Sequence, residues 1–503
     1  MTPMAAHETE PLLTDPTISP IPKSKKLLVL IVCAVFLLSA EFGFFMSTAP
    51  QTAVFEDIIC RNYQTGLNGA QNGTLPDLNP CKSEAVQGEL AIITGYKDTF
   101  DTIPSIVLSL PYGILADHWG RRPVLYLSML GIILSEVWIR IVCLWSTVIP
   151  LRMVWLSSVF RIIGGGDSVL TAIALVIVAD VFSEDERSTA LFRLQSCVLL
   201  AEILATPLSA YMMTYGPMFP YLISICLILV GSIPALFLPE TLEDAKAKQS
   251  LHTNPEQHDG NDNEQPERGV NKSLLEELKR QGREFQVSTR FIWTDSNVCI
   301  MILVFFVTIM TRQSTNLLLQ YVSKKFDWSI ARSSLLISLR GIFSMVTFMV
   351  FMPVLSFLAA KYFNLHGKQS DHVMSKGSGI LSVIGFVAIA LAPTPAILIF
   401  GQIILSMGMA FMVNTRSLAT ALVLPDHVGT LYSALAITQS AGMLVAGPLF
   451  ANLFRLGLHL GNAWLGLPFL QASLFFVIAV VAVWHIRLGP SRVSDEEQES
   501  SLE

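Results

Sequence analysis

The sequence predicts an all-α membrane protein of twelve transmembrane helices, arranged as two six-helix halves. Three observations predict it. The 503 residues are 52% hydrophobic and only 14% charged, with a mean hydropathy of +0.54; a soluble chain carries about 25% charged residues. Apolar runs of membrane-spanning length, about 20 residues, recur twelve times along the chain. One long polar segment, 240–294, separates the sixth run from the seventh.

The runs are 27–49, 90–115, 124–145, 151–182, 189–213, 217–238, 297–321, 333–358, 378–391, 396–418, 431–454 and 463–486. They divide the chain into a disordered tail at 1–25, a first half at 26–239, the polar loop, a second half at 295–487 and an acidic tail at 488–503. Residues 1–22 are polar and proline-rich, without the apolar core of a cleaved signal peptide, so the first run starts insertion. Glu8, Leu12 and Leu13 in this tail have the form of an acidic di-leucine sorting signal. The plasma membrane is the expected location, with a vacuolar or endosomal membrane as the alternative.

Positive charge fixes the orientation. Lys23, Lys25 and Lys26 precede the first run, and Arg121 and Arg122 lie between the second and third. Arg187 follows the fourth, and Lys361 and Lys368 lie between the eighth and ninth. Both termini come out cytoplasmic. Lys324, Lys325 and Arg332 are exceptions on the outer side.

The segment 50–86 is then extracytoplasmic. Asn72-Gly73-Thr74 is a glycosylation sequon there. Of seven cysteines, only Cys60 and Cys81 fall outside the apolar runs, and both are in this segment. An oxidising exterior lets them pair, a closure worth about 3 kcal/mol. The central loop 240–294 is Gln-, Asn-, Glu- and Lys-rich, and its middle should be disordered. Within it, 273–285 spaces its leucines on one helical face, as a short surface helix would.

A weak repeat joins the halves. Thr206-Pro207-Leu208-Ser209-Ala210 in the fifth run aligns with Gly447-Pro448-Leu449-Phe450-Ala451 in the eleventh, and the same shift places Asp185 on Asp426. A parallel six-helix duplication requires such a match.

The turn between the second and third runs reads Gly113-Ile114-Leu115-Ala116-Asp117-His118-Trp119-Gly120-Arg121-Arg122-Pro123-Val124-Leu125. Gly113 and Gly120 allow close packing or positive φ; the two arginines anchor the turn in the cytoplasm. The stretch resembles the signature loop of the major facilitator superfamily, G-x-L-A-D-R-x-G-R-K/R-x-x-L, with His118 where the family has arginine. Arg161-Ile162-Ile163-Gly164-Gly165-Gly166 resembles the family's second motif, and Leu238-Pro239-Glu240-Thr241 its exit from the sixth helix. Cys60-Arg61 and Gln320-Tyr321 are similar to filamentous-fungal members of unassigned substrate, some of which accompany biosynthetic gene clusters; these are distantly similar to proton-coupled folate-type carriers. Two stretches depart from the family. The fifth run has proline and small residues but lacks the glycines of the antiporter motif G-x-x-x-G-P-x-x-G-G. No second signature turn lies between the eighth and ninth runs.

The resemblance implies a gate at Gly113, Asp117, His118, Gly120, Arg121 and Arg122 that latches the cytoplasmic side in the outward-open state. His118, with an unperturbed pKa of about 6.5, makes that latch titratable.

Charges inside a membrane cost at least about 2.5–3.5 kcal/mol and are functional candidates. Glu136 and Arg140, four residues apart, read as a self-neutralising structural pair. Lys97 and Asp101 share that spacing, and Asp98 is left over. Glu41 and Arg161 have no partner in their own runs, and both runs line the central cavity of the family fold. They are expected to pair and to couple protons. Gln195, Glu202 and Asp167 add polar lining. The second half offers Arg312, Arg340 and Arg416, with Gln313, Asn414 and Gln439 as neutral partners. Arginines without carboxylates beside them suit an anionic substrate. Gly164–Gly166 is expected inside a helix, serving close packing.

No HExxH, GxSxG, phosphate loop or Cys/His metal spacing is present, so no enzyme activity and no cofactor are expected. The expected function is secondary active transport by alternating access, as a monomer in the bilayer. Proton-coupled export of a small organic molecule is the first reading and proton-coupled uptake of an organic anion the second. A transport-dead sensor or scaffold is the alternative from another class.

Overall fold

The computed structural model describes residues 22–69, 80–182, 184–242, 295–363, 367–423 and 428–486. Among the described residues, twelve helices are long and apolar enough to cross a membrane and no strand occurs. In a bilayer this is forced, because every backbone N–H and C=O must find its partner within the segment.

We number the spans α1 (Lys23–Gly69), α2 (Glu84–Trp119), α3 (Arg121–Leu144), α4 (ending in Gly166–Val181), α5 (Glu184–Met212) and α6 (Met218–Phe237). The second half holds α7 (Ser296–Phe326), α8 (Ile330–Phe363), α9 (Lys368–Leu391), α10 (Pro395–Leu422), α11 (Val428–Leu460) and α12 (Asn462–Trp484). Each half has its own apolar core. One packs Val124, Ile177 and Phe36 of the first half; the other packs Phe305, Phe411 and Phe454 of the second.

Several boundaries differ from the sequence expectation. α1 does not stop near residue 49 but continues to Gly69, so the extracytoplasmic segment 50–86 begins as helix. Ala49, Phe55 and Ile58 stay buried there, which keeps the helix packed beyond the apolar run. The short run at 378–391 is the end of a full-length α9, whose first turns are polar. The sequon at Asn72, the surface helix at 273–285, the di-leucine at 8–13 and Asp426 lie outside the described residues.

The long run at 151–182 is not one helix, and the glycine run is not inside one. The chain makes a short 3-10 turn at Leu151–Leu156, an α-turn at Ser157–Phe160 and a second 3-10 turn before Gly166–Val181. Gly164, Gly165 and Gly166 have φ of +82°, +74° and +72°, a region open to glycine and costly for other residues. The freed backbone is satisfied locally. Gly164 N–H donates to Tyr112 Oη at 2.8 Å, Tyr112 Oη donates to Ile162 O at 3.0 Å, and Ser128 Oγ donates to Gly164 O at 2.6 Å.

The halves meet along two crossings. α2 crosses α11 where Gly95 and Gly447 touch: a Cβ on Gly447 would lie 2.2 Å from Gly95 O. α5 crosses α8 where Gly341 packs on Ile203 and Glu202. The two repeat prolines, Pro207 and Pro448, lie inside α5 and α11.

Candidate transport site

Two polar clusters occupy the middle of the bundle. The first is buried in the first half. Lys97 Nζ donates to Asp101 Oδ2 at 3.0 Å, and Asp101 Oδ1 accepts from Ser157 Oγ at 3.1 Å. Arg161 lies 3.4 Å from Asp101 and 3.8 Å from Glu136, bonds Ser135 Oγ at 3.2 Å and is ion-paired with Asp167. Arg140 donates to Glu136 at 2.8 Å, to Tyr221 O at 3.0 Å and to Ser224 Oγ at 2.8 Å.

This corrects two expectations. Arg161 does not pair with Glu41, because its guanidinium is taken by Asp101, Glu136 and Asp167 from three elements. The break at Gly164–Gly166 sets Arg161 against α2 and α3 while Asp167 starts the next helix. Glu136 and Arg140 are not self-contained, since Glu136 also faces Arg161. Three cations, Lys97, Arg140 and Arg161, thus face the carboxylates of Asp101, Glu136, Asp167 and Asp98. Asp98 is the carboxylate in excess. It turns to the other half, where its Oδ2 accepts from Gln313 Nε2 at 2.8 Å and Asn316 Nδ2 at 3.1 Å.

The second cluster lies between the halves. Arg340 Nη2 donates to Glu202 Oε1 at 2.7 Å and its Nε at 3.1 Å. The basic second half is therefore not free of carboxylates: Glu202 reaches across from α5. Glu41 lies in the field of Asp167, Arg312 and Glu202, and Arg312 in that of Arg340, Glu41, Glu202 and Asp167. Among the described residues, neither Glu41 nor Arg312 takes part in a hydrogen bond or an ion pair within 4.0 Å. Arg312 is exposed and Glu41 half-buried.

The remaining predicted residues scatter. Gln195 is exposed on α5 and Gln439 half-buried on α11. Asn414 is buried, with its Nδ2 lacking a partner among the described residues. Arg416 sits over the Phe305 ring at 6.0 Å and lines a cavity of about 620 Å³ with Ser417, Thr420 and Tyr432. Its lining lies in the last turns of α10 and the first of α11, at the end of the bundle that carries the signature turn.

That turn is a knot of four helices. Arg121 is ion-paired with Asp117, and its Nε reaches Asp180 of α4 at 3.3 Å. Arg122 donates to Tyr126 Oη at 3.0 Å and to Leu236 O at 3.2 Å. Asp117 and His118 are exposed. Gly120 has φ +107°, and a Cβ there would lie 2.6 Å from Glu240 Oε2. The reason is Glu240. Its carboxylate caps α3 from the far end of α6, accepting from the N–H groups of Arg121 at 2.9 Å and Arg122 at 3.2 Å, and from those of Thr241 and Leu242. Burial pushes the Glu240 carboxyl up, but these four backbone donors outweigh it and hold it below the ordinary carboxylate range. A depressed carboxylate stabilises above its unfolded pKa, about 4.3, and the contribution disappears as pH falls through the folded value. Glu240→Ala is expected to cost about 1 kcal/mol, as loss of a helix cap does, read as a lower unfolding midpoint in detergent. Gly113, by contrast, has nothing within 4 Å of a Cβ position, so it serves no close approach. Neither Glu240 nor Asp180 was singled out as a partner in the sequence. The Pro-Glu-Thr exit from α6 was the available signal for Glu240.

Comparison with known proteins agrees with this architecture. The Major Facilitator Superfamily model matches residues 31–447. The chain is 35% identical over 476 residues to the MFS-type transporter avaK of Aspergillus versicolor, covering 94% of this chain and 96% of that protein. It is 33% identical to the MFS efflux pump atnC of Emericella nidulans, covering 93% and 90%. The crystal structure of a D-xylose-proton symporter superposes with a TM-score of 0.58 at 12% identity, over 91% of this chain and 97% of that one. On this match, and on the fold beneath it, the chain belongs to the major facilitator superfamily of membrane transporters.

Proposed function

We propose that the protein exports a small organic molecule, such as a fungal secondary metabolite, in exchange for protons, by alternating access of its two halves. The observation that carries the reading is the mid-depth cluster: Glu41 and Arg312 stand unbonded among the described residues, around a point where both halves contribute charge. An unbonded arginine there offers a fork to a carboxylate or enolate. An unbonded carboxylate there can take up and give up a proton. Relatives named as efflux pumps support the outward direction.

The cross-half contacts of Asp98 and of Glu202 with Arg340 lie at mid-depth, and further contacts close the end that carries Cys60 and Cys81. The cavity beside Arg416 lies at the other end. With the termini cytoplasmic, this is an inward-facing state that receives substrate from the cytoplasm. In it the signature arginine Arg121 is bonded within its own half, and its release is the gate.

Proton coupling is assigned to the excess carboxylate Asp98 together with Glu41. Changing state must part Asp98 from Gln313 and Asn316, so its proton affinity differs between the two states. We expect Asp98→Asn and Glu41→Gln each to lower gradient-driven efflux at least about tenfold while substrate exchange at equal pH persists, because an amide keeps the shape and removes the titration. Equal gradient-driven rates in all three proteins would remove both residues from coupling. Proton-coupled uptake of an organic anion remains the second reading, favoured by the missing glycines of α5 around Pro207. The plasma membrane is the proposed location.

A further inference from the structure

The end of the bundle that carries the disulfide is held shut by a contact made in both directions. The turn Pro80–Lys82 precedes α2, and Cys81 in it is disulfide-bonded to Cys60 in α1. Lys82 Nζ donates to Glu56 Oε1 of α1 at 2.5 Å and to Ser323 Oγ of α7 at 2.5 Å. In return Lys324 Nζ of α7 donates to Lys82 O at 2.5 Å. Gln87 Nε2 braces the turn from α2, donating to Glu56 Oε1 at 2.5 Å and to Cys81 O at 2.9 Å. Ser323 Oγ is itself oriented by donating to Trp328 O at 2.7 Å. The Lys82 and Glu56 side chains are only 17% and 12% exposed, so salt screens the pair weakly. Basic residues on this side ran against the charge rule in the sequence, and here one of them, Lys324, has a task.

We infer that Lys82 is a gate residue for the disulfide end and that the Cys60–Cys81 bond positions it. The inference rests on alternating access, not on the substrate or the coupling ion. The bonds of Lys82 divide into two sets. Those to Glu56, and those of Gln87 to the turn, lie inside the first half and survive a rocking of the halves. Those to Ser323 and Lys324 cross to the second half and must break when this end opens. The disulfide belongs to the first set: it fixes the turn on α1, and without it Lys82 loses the fixed placement that lets it serve α1 and α7 together. The bond is thereby part of the transport cycle as well as a crosslink.

The test uses the full chain in lipid nanodiscs, with spin labels carried on unnatural amino acids at Arg61 of α1 and Leu460 of α11. Both side chains are exposed and neither belongs to the gate. The label separation reports the open-to-closed ratio of this end. Lys82→Ala is expected to raise that ratio about tenfold, the size of effect that loss of a charge-assisted hydrogen bond gives. Lys82→Arg is expected to keep most of the closed population. Reduction of the folded wild type with a membrane-impermeant phosphine should reproduce the Lys82→Ala distribution without further change in that variant. An unchanged distribution in Lys82→Ala overturns the gate. A reduced wild type that melts at lower temperature with its distribution unchanged overturns the positioning role and leaves the bond a crosslink. Because reduction acts on folded protein, the test does not depend on cysteine variants that fail to fold. Transport direction does not enter it, so its failure is separate from a failure of the export reading.

Discussion

Arg161→Met is expected to be among the most damaging substitutions in the chain. Methionine keeps an unbranched apolar stem and removes the guanidinium and its charge. Asp101, Glu136 and Asp167 then lose the cation that faces all three. Breaking a buried pair from one side costs about 3–5 kcal/mol, because the stranded charge stays out of water. Asp167, at 63% exposure, stays solvated, so the loss falls on the buried Asp101 and Glu136, each left with a single cation, Lys97 or Arg140. Unfolding of the purified protein in detergent, followed by tryptophan fluorescence, should show it as a sharply lower midpoint and a poor yield of monodisperse protein. Arg161→Lys should recover part of the loss, since it restores the charge without the planar fork that reaches several partners. A cost below about 1 kcal/mol for Arg161→Met would mean that the network is not held by this residue.

Gly164→Ala is the second large effect. Its φ of +82° lies in the left-handed region, where a Cβ costs about 1–2 kcal/mol. The new methyl would also sit 2.2 Å from Ser128 N and 2.3 Å from the Leu127 carbonyl carbon. Both are backbone atoms of α3 and cannot swing aside, so overpacking adds about 1–3 kcal/mol. The turn that places Arg161 against α2 and α3, with Asp167 beside it, is expected to open. Expression, melting midpoint and transport should fall together. Gly113→Ala is the control: its Cβ meets open space, and alanine in a helix is neutral or favourable by up to about 1 kcal/mol. Equal behaviour of the two variants would show that the glycine turn of α4 is not needed as built.

The twelve spans were legible in the sequence because the bilayer imposes a length and a composition on each of them. The signature turn was legible because its residues sit within one short stretch. The polar sites were less so. Sequence spacing displays pairs four residues apart, and Lys97 with Asp101 and Glu136 with Arg140 were found that way. It does not display Arg340 against Glu202, 138 positions distant, or Arg161 gathering carboxylates from α2, α3 and the far side of its own break. The partner assigned to Arg161 from family geometry, Glu41, was wrong for that reason. Three consecutive glycines looked like a smooth packing face; only their positive φ shows them as a turn. Glu240 was hidden because a helix cap normally comes from the chain just before the helix. Here it comes from the end of α6.

The proposed export driven by inward proton movement can be read from the initial rate of metabolite transport by wild-type protein in sealed, oriented proteoliposomes under an imposed pH gradient, with candidates drawn from small acidic metabolites. Substrate is expected to move against the proton flux, from the face of the signature turn to the face of the disulfide, and a protonophore is expected to abolish accumulation. Substrate moving together with protons, towards the face of the signature turn, would contradict it.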